Sequence, residues 1–152
     1  MEKHNSAIGT LEHKAKVNKY MSIIISELLK RAVTHDDSKL SEDEKPFFDE
    51  YEPKLKTCTF QSDEYKQYLK ELKPALDHHY AKNRHHCEHF TNGIQDMNFI
   101  DLIEMLIDWK ASSERQQNGN ILKSIDLNQD RFGYSNELSK IFKNTISYLD
   151  TI

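Results

Sequence analysis

Helix breakers are scarce in this chain, with only 4 Gly and 3 Pro in 152 residues, and its apolar residues recur every three or four positions instead of alternating. A β-sheet needs the opposite pattern, so the sequence predicts an all-α fold. Val17, Met21, Ile24 and Leu28 mark the stripe of a first helix that Thr10 can cap and that runs to about Ala32. Ser41 with Glu44 reads as a capping box for a second helix to about Tyr51, ended by Pro53. A connector spans Lys56 to Phe60, and Ser62 then caps a third helix through Tyr65, Tyr68, Leu69 and Leu72. Pro74 marks a kink or restart in it. Beyond the Asn92-Gly93 turn, a strong helix is expected from about Asn98 to Gln116, stopped by Asn118-Gly119, followed by mostly loop to Tyr134. Ser135 caps a last helix carrying Leu138, Ile141, Phe142, Ile146 and Leu149, whose apolar face either completes the core or pairs two copies as a homodimer. The expectation is one compact domain over residues 1–152 with five to seven helices.

Composition excludes several classes of function. The formal net charge is −4 and no block of Lys or Arg stands out, so there is no electrostatic footprint for duplex nucleic acid. No run approaches the roughly 18 apolar residues of a membrane span. Cys58 and Cys87 stand far apart, outside any Cys-x-x-Cys spacing, which fits a reducing compartment and points to the cytoplasm.

The residues suited to chemistry are histidines and aspartates. His13 lies four positions before Val17, on the inward stripe of the first helix. Taken alone it reads as an ordinary core histidine. His35 and Asp36 are adjacent, at the junction between the first two helices. Asp108 stands on the most apolar helix, where Asp101, Glu104, Asp108, Ser112 and Arg115 form one narrow polar strip. Such a strip is either a solvated face or the wall of a polar pocket, and a buried carboxylate needs a partner or a metal. The segment ALDHHYAKNRHHCEHF, residues 75–90, holds five of the eight histidines. His78-His79 and His85-His86 are seven residues apart, two turns along one face if the helix were continuous.

The ordered set His13, His35-Asp36 and Asp108 in an all-α chain resembles the HD superfamily of metal-dependent phosphohydrolases over roughly residues 10–117. The run from Asn83 to His89 also resembles a group of small, uncharacterised HD-like proteins of phages and bacteria. The resemblance implies that His13, His35, Asp36 and Asp108 bind a first divalent ion. Within HDDSK, Lys39 takes the position of a lysine that contacts the scissile phosphate, and Asp37 could guide the water or protonate the leaving group. Some family members add histidines and a second metal. His79 and His86 are the choices for that role, or as substrate donors, with little to separate them from His78 and His85. Arg84, Lys110 and Arg115 could ground a phosphate, although such residues usually only solvate a helix.

The implied cofactor is one or two divalent ions, with Mn, Co, Fe, Ni or Mg suiting imidazole and carboxylate ligands. The implied substrate is a small phosphorylated molecule, a nucleoside monophosphate or a cyclic or signalling nucleotide. Two other readings fit the same residues: an HD-type di-iron oxygenase, and a non-catalytic HD-like nucleotide- or protein-binding module.

Overall fold

The computed structural model describes residues 6–58, 62–115 and 119–152. Among these there are six α-helices, three short 3₁₀ turns and no strand, so the protein is all-α. The helices are α1 (Ser6–Thr34), α2 (Lys45–Thr57), α3 (Asp63–Lys82), α4 (Phe99–Glu114), α5 (Ile121–Phe132) and α6 (Asn136–Leu149). By backbone proximity the chain divides into two units, Met1–His35 and Asp36–Ile152. The first consists of α1 with the residues flanking it. All that follows on packing concerns the second.

Within that unit α2 packs on α3, and α4, α5 and α6 follow one another as neighbours. Cys87, Met105, Leu106, Ile125, Tyr134, Phe142 and Ile146 form the buried core. Trp109 stacks on Phe132 and Tyr134 and meets Phe142 edge-on. The Tyr134 hydroxyl donates to the Ile125 carbonyl at 2.5 Å, which satisfies the polar end of a ring buried in this cluster. Phe142 and Ile146 place one face of α6 in the core. Among the described residues no helix is long and apolar enough to cross a membrane.

Several boundaries differ from the sequence reading. Thr10 lies inside α1, its hydroxyl donating to the Ser6 carbonyl. The Ser41–Glu44 capping box is absent: α2 starts at Lys45, and the Glu44 side chain makes no cap bond because it turns inward toward histidines. Pro53 does not end α2, which runs on to Thr57, and Pro74 does not interrupt α3. A proline ring is compatible with helical φ and removes only one donor, so packing on both sides can carry the helix through.

The stretch expected as loop before Tyr134 contains α5. Asn120 caps it by accepting from the Lys123 amide, and Gly133, at φ +66°, closes it in the left-handed conformation that glycine adopts without a Cβ penalty. Its polar composition hid a short stripe of Ile121, Ile125 and Phe132 that packs on the core. Ser62 and Ser135 cap α3 and α6 as the sequence suggests, and Asn98, expected only as the start of a helix, caps α4. Phe60, Gln116 and Asn118 lie outside the described residues.

Phe142→Ala should remove about 3–5 kcal/mol of stability in urea unfolding, the usual penalty for truncating a buried phenylalanine. A loss below about 1 kcal/mol would contradict the placement of α6 in the core.

Candidate metal centre

Three segments of the second unit converge on Asp36. The first is Asp36 itself, with φ 59° and ψ 13°, the only positive φ outside glycine among the described residues. Aspartate tolerates this region better than most residues, yet the conformation still needs support from its surroundings. Here the Asp36 carbonyl accepts from the Lys39 amide and its carboxylate from the Lys39 ammonium, at 2.6 Å from Oδ2.

The second segment is α3, whose inward stripe is Leu72, Ala75 and His79, spaced three and four residues apart. The third is the turn after it. The helix stops at Lys82, Asn83 is extended, and the chain doubles back through His85 and His86 into a 3₁₀ turn at Cys87–His89. Cys87 fixes the turn by burying its sulfur against Met97 and Met105, both at 3.7 Å. Burial, with Glu88 adding to it, pushes the Cys87 thiol up to about 12, so it acts as a core residue and not as a thiolate.

One ligand atom from each of Asp36, His79, His85 and His86 lies within 4.8 Å of the other three. His79 Nε2 and His85 Nε2 are 3.2 and 3.3 Å from Asp36 Oδ1. The edges of a tetrahedron around a metal with bonds of about 2.0–2.1 Å are about 3.3 Å long. Nε2 of His79 and Nε2 of His86 are buried and make no hydrogen bond of good geometry. The imidazole rings crowd together, with the centroids of His79 and His86 4.8 Å apart and those of His85 and His86 4.1 Å apart.

The far side of the rings is equally organised. Glu44, fully buried, meets His78 Nδ1 with one oxygen at 2.7 Å and His79 Nδ1 with the other at 2.9 Å. Glu104, one turn along α4 from Asp101, is 3.2 Å from His85 Nδ1. A proton held on Nδ1 by a carboxylate leaves the Nε2 lone pair for a metal, the arrangement that commonly backs histidine ligands. Nitrogen and carboxylate donors in this combination suit a divalent transition ion, so these residues form a group that could hold one.

Charge balance agrees with that chemistry. Burial pushes the Asp36 carboxyl up, but His79, His85 and Lys39 outweigh it and hold the group well below the usual carboxylate range. Burial opposes the charge of Glu44 too, and hydrogen bonds from His78, Ser38 and His79 more than offset it. His86 is pushed down to about 3, by burial first and then by the neighbouring His85 and His79, against the pull of Asp108 and Asp36. At neutral pH its imidazole is uncharged and able to ligate.

The other residues singled out in the sequence fall in different places. Asp108 has a carboxylate oxygen within 4.8 Å of one from Asp36. Lys39, besides its contact with Asp36, lies over the Phe48 ring at 5.3 Å. Asp37 is exposed at the start of the 3₁₀ turn Asp37–Leu40. His13 and His35 belong to the first unit, His35 as its last residue, bonded to Asp36.

Arg84 grips the buried Asp101 with two bonds of 3.1 and 3.0 Å. Lys110 pairs with Glu114 and Asp150, and Arg115 with Glu52. His85, not preferred over its neighbours from spacing alone, is in the group, whereas His78 is engaged by Glu44 and Asp43. Glu44 and Glu104 are site residues that the sequence pattern does not single out. Glu104 had a signal in the polar strip of α4, and Glu44 was masked by its match to a capping box.

Fold and site together define an all-α protein with a partly buried histidine–carboxylate group that could hold a metal ion. The chain belongs to DUF5662, a family of unknown function, whose model matches residues 2–151. No curated protein and no solved structure matches it.

The chelator-treated protein should lose stability as pH falls from about 6.5 toward 3. His86 has a folded pKa below its ordinary value, so the unfolded chain binds more protons across that window and acid favours unfolding. Asp36 and Glu44, also lowered, add to the loss at the acid end of the window. Thermal melts at pH 7 and pH 5 check this: the midpoint should drop at pH 5, and less so in His86→Gln. Equal midpoints would contradict the burial of a neutral His86.

Proposed function

We propose that this protein is a metal-dependent phosphohydrolase of HD type, cleaving a phosphate ester of a nucleotide in the cytoplasm, with an ion held by Asp36, His79, His85 and His86. One observation carries the reading: three imidazoles and a carboxylate converge on a common point, and two of the imidazoles are backed at Nδ1 by carboxylates. A solvated histidine cluster would need neither the burial nor the backing.

A divalent ion at such a centre supplies a Lewis acid and lowers the pKa of bound water to about 7, which makes a nucleophile available at neutral pH. The remaining work falls to the chain. Asp36 contributes the anionic donor, fixed by Lys39 on Oδ2 while Oδ1 faces the histidines. The Lys39 ammonium is partly exposed, so it can also neutralise a non-bridging phosphate oxygen as negative charge builds there. Asp108, with a carboxylate oxygen within 4.8 Å of one from Asp36, is the proposed ligand of a second ion. Asp37, exposed on the adjoining turn, is the proposed guide of the water or donor to the leaving group. The nucleotide as substrate and His13 and His35 as further ligands follow from the HD resemblance, and Arg84, Lys110 and Arg115 are proposed phosphate contacts as basic side chains.

Purified protein should contain about one or two divalent ions per chain by elemental analysis. It should release phosphate from a panel of nucleoside monophosphates or open cyclic nucleotides with Mn, Co, Ni, Fe or Mg, and lose that activity with chelator. Asp36→Ala should lower metal affinity and turnover by about 100-fold or more with the helical content intact, and Lys39→Met should lower kcat by about 100-fold with metal retained. Bound iron with oxygen consumption and no phosphate release would replace this reading with an oxygenase. Metal or nucleotide binding without turnover would replace it with a binding module.

A further inference from the structure

Among the described residues two carboxylates have no solvent exposure: Asp101, which is taken up by Arg84, and Glu44, which meets two histidines at once. Glu44 stands at the N-cap of α2 without making a cap bond. Removing a carboxylate from water is costly unless each oxygen finds a donor. The two oxygens meet the Nδ1 atoms of consecutive residues, His78 at 2.7 Å and His79 at 2.9 Å, and the Ser38 hydroxyl also stabilises the carboxylate.

We propose that Glu44 is a positioning residue: it holds the proton of His79 on Nδ1 and thereby turns Nε2 toward the position shared with Asp36, His85 and His86. The proposal rests on the metal-centre reading above and adds what sets the ligand state of its most buried α3 histidine.

The alternative tautomer is disfavoured by the same geometry. Were Nδ1 bare, its lone pair would face the Glu44 oxygen at 2.9 Å with both side chains buried, two acceptors in contact. The Ser38 hydroxyl, 3.0 Å from the same nitrogen, could donate to it, but Ser38 already stabilises Glu44 and accepts from Asn83 Nδ2 at 2.7 Å. Asn83 Nδ2 also lies 3.1 Å from His79 Nδ1, but its two hydrogens go to Ser38 Oγ and, at 2.8 Å, to the His79 carbonyl, tying the end of α3 to the same network. His78 completes the wedge: with its Nδ1 on the other Glu44 oxygen and Nε2 3.5 Å from Asp43, it prevents the carboxylate from rotating away from His79. The sequence pattern is thus Glu44 on one helix end opposite a His-His pair on another, with only the second histidine reaching the centre.

The test is made first on the unmodified, metal-free protein at pH 8, by ¹⁵N spectroscopy of the His79 ring. A protonated Nδ1, with Nε2 either bare or also protonated toward Asp36 Oδ1 at 3.2 Å, supports the proposal, and a bare Nδ1 overturns it, whether or not any variant folds. The second arm is Glu44→Gln, whose amide offers one acceptor and one donor where the carboxylate offers two acceptors. Metal affinity for Mn or Co, measured by titration, should fall about 10- to 100-fold, with the His79 tautomer shifted toward Nε2–H and partial recovery in Glu44→Asp. Affinity and tautomer both unchanged in a folded Glu44→Gln would overturn the proposal. If the unmodified protein takes up no metal, the metal-centre reading fails by itself, and the tautomer in the unmodified protein still decides the role of Glu44.

Discussion

Everything around the centre depends on one electrostatic requirement: an ionised carboxylate and three imidazoles share a space with little water, so each charge and lone pair needs a directed counterpart. Asp36 meets it through Lys39 on one oxygen and the histidine side on the other. His79 and His85 meet it through Glu44 and Glu104 at their outer nitrogens. The result is two carboxylate–imidazole pairs, one carried by the N-cap of α2 and by α3, the other by the turn and α4. The fixed orientation of these rings is what separates a centre able to take a metal from a patch of histidines.

The helices supply that orientation by ordinary packing. Leu72 and Ala75 bury one stripe of α3, and His79 continues it. Cys87 sinks into the cluster of Met105, Leu106 and Ile125, pinning the turn just after His85 and His86. Arg84, the residue before them, is held by Asp101, which also completes the capping box of α4 with Asn98. A single aspartate therefore joins the start of α4 to the turn that carries the two histidines, so helix register and site geometry are set together.

Much of this was legible in the sequence, because apolar spacing and cap residues act locally. Ser62, Asn98 and Ser135 announce helices that form, and the polar strip of α4 does supply Asp101 and Glu104 to the second unit's interior. What stayed hidden depends on tertiary contact. The two histidine pairs look like one helical face seven residues long, whereas the chain leaves the helix at Lys82 and folds His85 and His86 back beside His79. Glu44 satisfies the letters of a capping box, and only the burial of α3 against α2 redirects it to histidines. Neither Pro53 nor Pro74 breaks its helix, since packing offsets the one lost bond, and α5 was concealed by polar residues around a three-residue apolar stripe.

The most direct test of the central claim is an anomalous diffraction measurement on crystals of the protein grown with Mn or Co, with data collected at the metal edge. The account predicts a peak about 2.0–2.2 Å from Nε2 of His79, His85 and His86 and from Asp36 Oδ1. A map without a peak at that point, with the imidazoles still 3.2–3.3 Å from Asp36, would contradict it.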